Sequence, residues 1–226
     1  MRGKGEYIDD IRVPDALFAR VVRSPVAHGL LKHIGIKQAL ALKGVHSIIT
    51  VADLGVPVPA VPIRLQPMPS LVPFHQPVLA FGKVRYAGEP VCLVLASSAG
   101  VAEDAAALID LDIEPLPAIL DRHQSARNDI LLFEDHGSNC PVVYRSVLGD
   151  TESAFRDAPY TRKEKFRVHR HAAVPMEPRG LLAEWNGTQG RLTLRGAAKV
   201  PWFNRRILAE RLGLPEDRVD LIENDV

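Results

Sequence analysis

The run Val91-Cys92-Leu93-Val94-Leu95 is apolar on both parities, which predicts a strand covered on both faces at the centre of a sheet. Ser97 or Ser98 stands where a helix cap belongs, and Val101, Ala105, Leu108 and Ile109 then recur on one helical side. Further on, Leu111 and Ile113 alternate with Asp110, Asp112 and Glu114. That is the pattern of a half-buried strand, ended by Pro115 and Pro117 because neither can donate to a ladder. A strand, helix, strand unit of this length is too long for a hairpin. It predicts a parallel pair, or a pair with another strand inserted between its members.

Upstream, Leu17 to Arg23 mixes bulky apolar and arginine positions as a partly exposed strand does, and Pro25 ends it. Leu30 to Ile36 predicts a second strand. Lys37 to Lys43 carries a short helical pattern stopped at Gly44, and Val45 to Val51 returns as a strand. Pro57, Pro59, Pro62, Pro67, Pro69, Pro73 and Pro77 then exclude helix interior and central strand, so Val56 to Pro77 is expected as an ordered extended or polyproline loop. Loops of that length usually have a task. Two stay open: wrapping the surface or covering a partner subunit, and lining a substrate path.

From Ala118 to Val147 the periodicity is lost, which reads as a linker. Asp150 can cap a short helix through Ala158, with Glu152 placed to complement the helix dipole. Tyr160 to Val174 reads as a long extended segment. Gly180 to Trp185 and Arg191 to Leu194 flank Asn186-Gly187, a hairpin signal. Pro201 opens a helix with Phe203, Ile207, Leu208 and Leu212 on its buried side, Gly213 ends it, and Val219 to Ile222 forms a last strand.

The chain has 226 residues, 46% of them hydrophobic, enough for one large or two ordinary folded domains. Its 28 Lys and Arg balance 27 Asp and Glu, so no basic excess is available to displace counterions from a duplex, and nucleic acid is not expected as a partner. Two cysteines, Cys92 and Cys140, make neither a disulfide framework nor a Cys-rich zinc or iron–sulfur site. No signal-peptide core follows Arg2 and Lys4, and no apolar run reaches about 18 residues, so the chain reads as soluble and cytoplasmic without a membrane segment.

Candidate chemistry is sparse. Lys163, Lys165, Arg167, His169 and His171 share one parity, and His169, His171 and Glu177 together suggest a metal site. The neighbouring cations oppose a divalent ion, and a solvated or partner-facing basic strip explains the same face. Gly3-Lys4-Gly5 has no strand before it and no third glycine in register, which argues against a dinucleotide loop. Glu177-Pro178-Arg179-Gly180 reads as a structural ion pair rather than a catalytic one.

Five stretches together resemble one family: Gly5-Glu6-Tyr7-Ile8-Asp9-Asp10, Val22 to His28, Lys83 to Pro90, Asp112 to Pro117, and Pro175 to Gly180. Their order is similar to the N-terminal part of the molybdopterin-binding large subunit of the aldehyde oxidase/xanthine dehydrogenase family, which includes aerobic carbon monoxide dehydrogenases. The resemblance implies an α+β fold: an α/β hammerhead domain over residues 1–120, a linker over 121–149, and the beginning of a mixed α/β molybdopterin-binding domain over 150–226. It implies oxidation or hydroxylation of an aldehyde, an N-heterocycle or carbon monoxide at molybdenum on a pterin dithiolene. The electrons leave through iron–sulfur and FAD centres on partner subunits or domains.

The resemblance also marks departures. A family glutamine that reaches an oxo ligand of molybdenum falls, by register, on Lys199 within Gly196-Ala197-Ala198-Lys199. Lysine has donors but no acceptor and adds a full charge, so Lys199, Ala198 and Ala197 are the expected cofactor-binding positions with altered electrostatics. The family's catalytic glutamate is expected near the far end of a complete subunit, leaving no catalytic residue and no metal ligand in this chain. After Asn224-Asp225-Val226 the family continues into a glycine-rich cofactor loop. Two readings result: the opening part of a molybdenum hydroxylase subunit, inactive in isolation and completed by the remainder of that subunit, or a truncated module that docks on partner subunits without cofactor.

Overall fold

The structure is a computed structural model that describes residues 4–64, 68–169, 171, 172, 174, 180–196 and 198–225. The chain falls into two compact units, residues 13–142 and residues 1–12 with 143–226.

In the first unit the strands are β1 (Phe18–Arg23), β2 (Gly29–Gly35), β3 (Val45–Ile49), β4 (Lys83–Val84), β5 (Pro90–Ala96) and β6 (Asp110–Pro115). The helices are α1 (Lys37–Leu40), α2 (Ala99–Ala107) and α3 (Arg122–Arg127). The doubly apolar run is β5, the middle strand of a β1-β5-β3 sheet, with Val91, Cys92, Val94 and Ala96 all fully buried. The crossover expectation is corrected: β6 belongs to a second sheet, β4-β2-β6, and every strand pairing in the unit is antiparallel among the described residues. The reason lies in β1 and β3, which occupy both edges of β5 and leave β6 to pair with β2 through Leu30↔Glu114 and Ile34↔Leu111.

Ser98 caps α2, accepting from the Val101 N–H at 3.2 Å. The buried positions of this helix are Ala102 and Ala105 rather than the longer stripe expected; Leu108 is the exposed C-cap. Small residues let α2 lie close against the sheet, where Ala105 joins Ala39, Ile48, Cys92 and Val94 in one core cluster. Burial pushes the Cys92 thiol up to about 11, which keeps it protonated and unreactive at neutral pH. Ser98→Ala is expected to cost about 1 kcal/mol by urea denaturation; an unchanged midpoint would mean that the cap does not hold the helix.

The other apolar cluster is formed by Ala80, Val84 and Val91, and Glu89 is a buried charged residue of the same unit. Glu89 Oε2 accepts from the Arg85 N–H at 2.5 Å, and burial raises its pKa against that hydrogen bond. The proline-rich stretch is not wholly extended: Pro69–Phe74 forms a short 3-10 helix with Pro69 in its first turn and Pro73 inside. The aperiodic stretch after Pro117 carries α3, capped by Asp121, and is organised around Asn139. The Asn139 amide donates to the Ser125 and Ile130 carbonyls and accepts from the Leu132 N–H.

In the second unit α4 (Thr151–Asp157) is capped by Asp150, and β7 (Leu181–Asn186), β8 (Arg191–Gly196), α5 (Pro201–Leu212) and β9 (Val219–Ile222) form a three-stranded sheet with one helix. Gly213, at φ 65°, ends α5 while the Leu214 N–H returns to the Ala209 carbonyl at 2.9 Å. The expected apolar face of α5 is corrected in part: Ala209 is its buried residue, Phe203, Ile207 and Leu208 are half-buried, and Leu212 is exposed. A three-stranded sheet offers one helix too little surface to cover a whole apolar stripe. The extended segment after Pro159 joins no ladder among the described residues, and Tyr160, Phe166 and Val168 stand exposed.

Candidate functional site

β8 pairs antiparallel with β7 and parallel with β9, in the register Leu192↔Val219 to Arg195↔Ile222. A parallel strand, helix, strand unit brings the carboxyl ends of its strands and the helix N-terminus to one end, the usual place for a ligand. Here that end holds Gly196 and residues 198–200. Gly196 has φ 129°, and a Cβ on it would collide with the Gly180 carbonyl oxygen and stand 3.3 Å from Ile8 Cγ1. Only glycine lets β8 finish so close to the start of β7.

Ala198 is buried and Lys199 is exposed. The Lys199 carbonyl accepts from Asn204 Nδ2 at 2.7 Å, which ties the loop to the first turn of α5. Val200 sits at φ 63° and ψ 55°, a left-handed conformation that a β-branched residue adopts only under constraint. Such strain is found where surrounding contacts over-determine a functional loop. Pro201 follows at the first helical position, and no side chain caps α5. The first-turn N–H groups of Trp202 and Phe203 therefore have no intrahelical carbonyl to donate to.

At the end of the neighbouring strand, Asn224 Oδ1 is buried with no hydrogen-bond partner among the described residues. Asp225 Oδ2 accepts from the Glu6 N–H at 2.8 Å. The N-terminal segment thus belongs to this unit, packing Ile8 beside Gly180 and Gly196. Sequence reasoning missed Ile8, Asn204, Val200 and Asn224. Asn204 had a readable signal, a polar residue one turn into a Pro-initiated helix; the other three act only through distant contacts or backbone shape.

Of the expected positions, Lys199 and Ala198 lie in this loop, and Ala197 falls outside the described residues, as do Glu177 and Arg179. His169 and His171 lie on exposed chain without strand geometry, so the shared-face argument for a metal site loses its basis. Among the described residues no group of three or more His, Cys, Asp or Glu side chains is disposed to hold a metal ion. None of their helices is long and apolar enough to cross a membrane.

These features define an α+β protein whose second unit presents a strained, donor-rich loop at the carboxyl ends of two parallel strands. Residues 2–117 match the family model described as aldehyde oxidase and xanthine dehydrogenase, a/b hammerhead domain, and residues 133–226 match the molybdopterin cofactor-binding domain. The chain belongs to the aldehyde oxidase and xanthine dehydrogenase family. Its relatives include the carbon monoxide dehydrogenase large chain of Afipia carboxidovorans, 35% identical over the whole chain and 29% of the relative. The nicotine 6-hydroxylase large subunit of Paenarthrobacter nicotinovorans is 34% identical over the whole chain and 28% of its own length. A crystal structure of a Cu,Mo-CO dehydrogenase in its carbon monoxide reduced state superposes with TM-score 0.86 and 32% identity over 99% of this chain and 29% of that one. Quinoline 2-oxidoreductase from Pseudomonas putida 86 gives 0.79 and 30%, over 99% of this chain and 28% of that one. The chain thus spans under a third of the length of these relatives.

Proposed function

We propose that this chain is the N-terminal portion of a molybdenum hydroxylase large subunit, and that its Gly196–Val200 loop contributes to holding molybdopterin. The observation that carries this reading is the coincidence of the strand-end loop with the stretch matched by the cofactor-binding domain. The residues there fit an anionic, acceptor-rich group. The Lys199 ammonium and the free N–H groups of Trp202 and Phe203 are donors, and Gly196 and Ala198 add no bulk. Asn224 offers a buried side-chain amide that lacks a partner among the described residues.

When bound, the cofactor supplies oxidation or hydroxylation of a carbon centre; the substrate class is an aldehyde, an N-heterocycle or carbon monoxide, and iron–sulfur and flavin partners take the electrons. This chain's part is to position the group. Asn204 fixes the Lys199 backbone through its carbonyl, and the strained Val200 turns the chain into α5 so that Lys199 and the helix N-terminus share one end. The exposed Tyr160, Phe166 and Val168 favour a second reading, in which the segment around them docks on other polypeptide without a catalytic role.

Metal analysis and pterin fluorescence separate the two readings. Purified from a host competent in cofactor synthesis, the 226-residue chain is expected to lack stoichiometric molybdenum, and a complete subunit containing it is expected to be loaded. Stoichiometric metal in the short chain, or none in the complete subunit, would overturn the proposal. Lys199→Gln in the complete subunit is expected to lower the molybdenum reduction potential, because a nearby positive charge favours the more negative reduced state. An unchanged potential together with unchanged turnover removes Lys199 from the site.

A further inference from the structure

A cleft of about 510 Å³ opens beside α5, lined by Thr193 and Arg195 of β8, Pro201, Trp202 and Arg205 of α5, and Val219 to Ile222 of β9. Its volume is within the roughly 300–1,000 Å³ of small-ligand sites. The Arg205 guanidinium lies 5.1 Å from the Trp202 ring centroid, and its Nε is buried with no hydrogen-bond partner among the described residues. A buried donor on a permanently charged group is costly to leave unpaired, which marks the place of a missing acceptor.

The nearby carboxylates do not fill that role. Asp220 also lines the cleft, but its Oδ2 accepts from Arg191 Nη1 at 2.7 Å. Glu184 is 3.6 Å from Arg195 Nε, a loose ion pair, and the Arg195 fork has no other partner among the described residues. Two guanidinium groups and an indole thus line one concavity whose own acidic residue is engaged elsewhere. We propose that this cleft binds a small ligand carrying a carboxylate or phosphate group, held by the forked donors of Arg205 and Arg195 beside the Trp202 indole. Planar, multi-donor guanidinium groups match the geometry of both oxyanions. Apolar Leu221 and Ile222 provide the wall against which the rest of such a ligand lies. The inference goes beyond the cofactor reading: the cleft shares the N-terminal turn of α5 with that site, but its ligand is held by the Arg205 and Arg195 side chains, which the cofactor reading does not use.

Trp202 and Trp185 are the chain's two tryptophans, so in a Trp185→Phe background the emission comes from the cleft. Inorganic phosphate and acetate are titrated separately, with sodium chloride holding ionic strength constant. A saturable change in Trp202 emission with either anion is expected; a response to phosphate assigns a phosphate-bearing ligand, and a response to acetate a carboxylate. Arg205→Gln is expected to weaken the response about tenfold or more. If circular dichroism shows that this variant does not fold, Arg195→Gln carries the same expectation. Lys199→Gln is expected to leave the response intact, which separates this site from the cofactor loop. No saturable response to either anion, an unaltered response in the folded arginine variant, or its loss in Lys199→Gln overturns the proposal.

Discussion

Val94→Asp is expected to abolish cooperative unfolding of the first unit. Val94 is fully buried at the middle of β5, directly between Arg20 of β1 and Ile48 of β3. It belongs to the core cluster with Ala39, Ile48, Cys92 and Ala105. An aspartate there loses the valine's burial, worth about 1.5–3 kcal/mol, and must either stay ionised in an apolar site or take up a proton. Arg20 does not rescue it, because its Nε is already paired with Glu103 at 2.6 Å. The combined cost of about 4 kcal/mol or more approaches the whole stability of a typical domain. Amide exchange reads the result residue by residue: protection across Phe18–Arg23, Val45–Ile49 and Pro90–Ala96 should vanish. Parent-like protection in those strands would refute the central place of β5.

Gly196→Ala is the most damaging single change expected in the second unit. The added methyl would strike the Gly180 carbonyl oxygen, a backbone atom that cannot rotate away, at a φ of 129° that L residues rarely adopt. Strained backbone and overpacking together are expected to cost roughly 2–5 kcal/mol. Both tryptophans, Trp185 on β7 and Trp202 on α5, lie in this unit, so the urea transition followed by tryptophan emission should move to clearly lower denaturant. A control at Gly187, where among the described residues the only atom near an added Cβ is Trp185 Nε1 at 3.7 Å, should change the midpoint little. Equal effects at the two glycines would show that the close approach at Gly196 does not matter.

Much of the fold was legible because local patterns and tertiary demands agree. The doubly apolar Val91–Leu95 run, the Ser98 cap, the alternation of Leu111 and Ile113, and the Pro201 start and Gly213 stop of α5 each depend on neighbours within a few residues. Periodicity was less informative about which strand meets which. It ordered β5, α2 and β6 correctly but carried no trace of β1 and β3 taking both edges of β5. It also overstated the buried stripe of α5, since amphipathicity records what a helix can bury and not how much sheet is present to receive it.

Amino-acid order by itself determined most of the elements, the α+β class and, through five short stretches in sequence, the family. These follow from short-range chemistry: parity, capping and chain-breaking residues. Only the tertiary structure decided the division of the strands between two sheets and the packing of Ile8 beside Gly180 and Gly196. It likewise decided the left-handed turn at Val200 and the orphaned Arg205 Nε in the α5 cleft. Each of these depends on contacts between residues far apart in the chain or on backbone angles imposed from outside. A valine carries no local sign of φ 63°, and an arginine carries none of the partner it lacks.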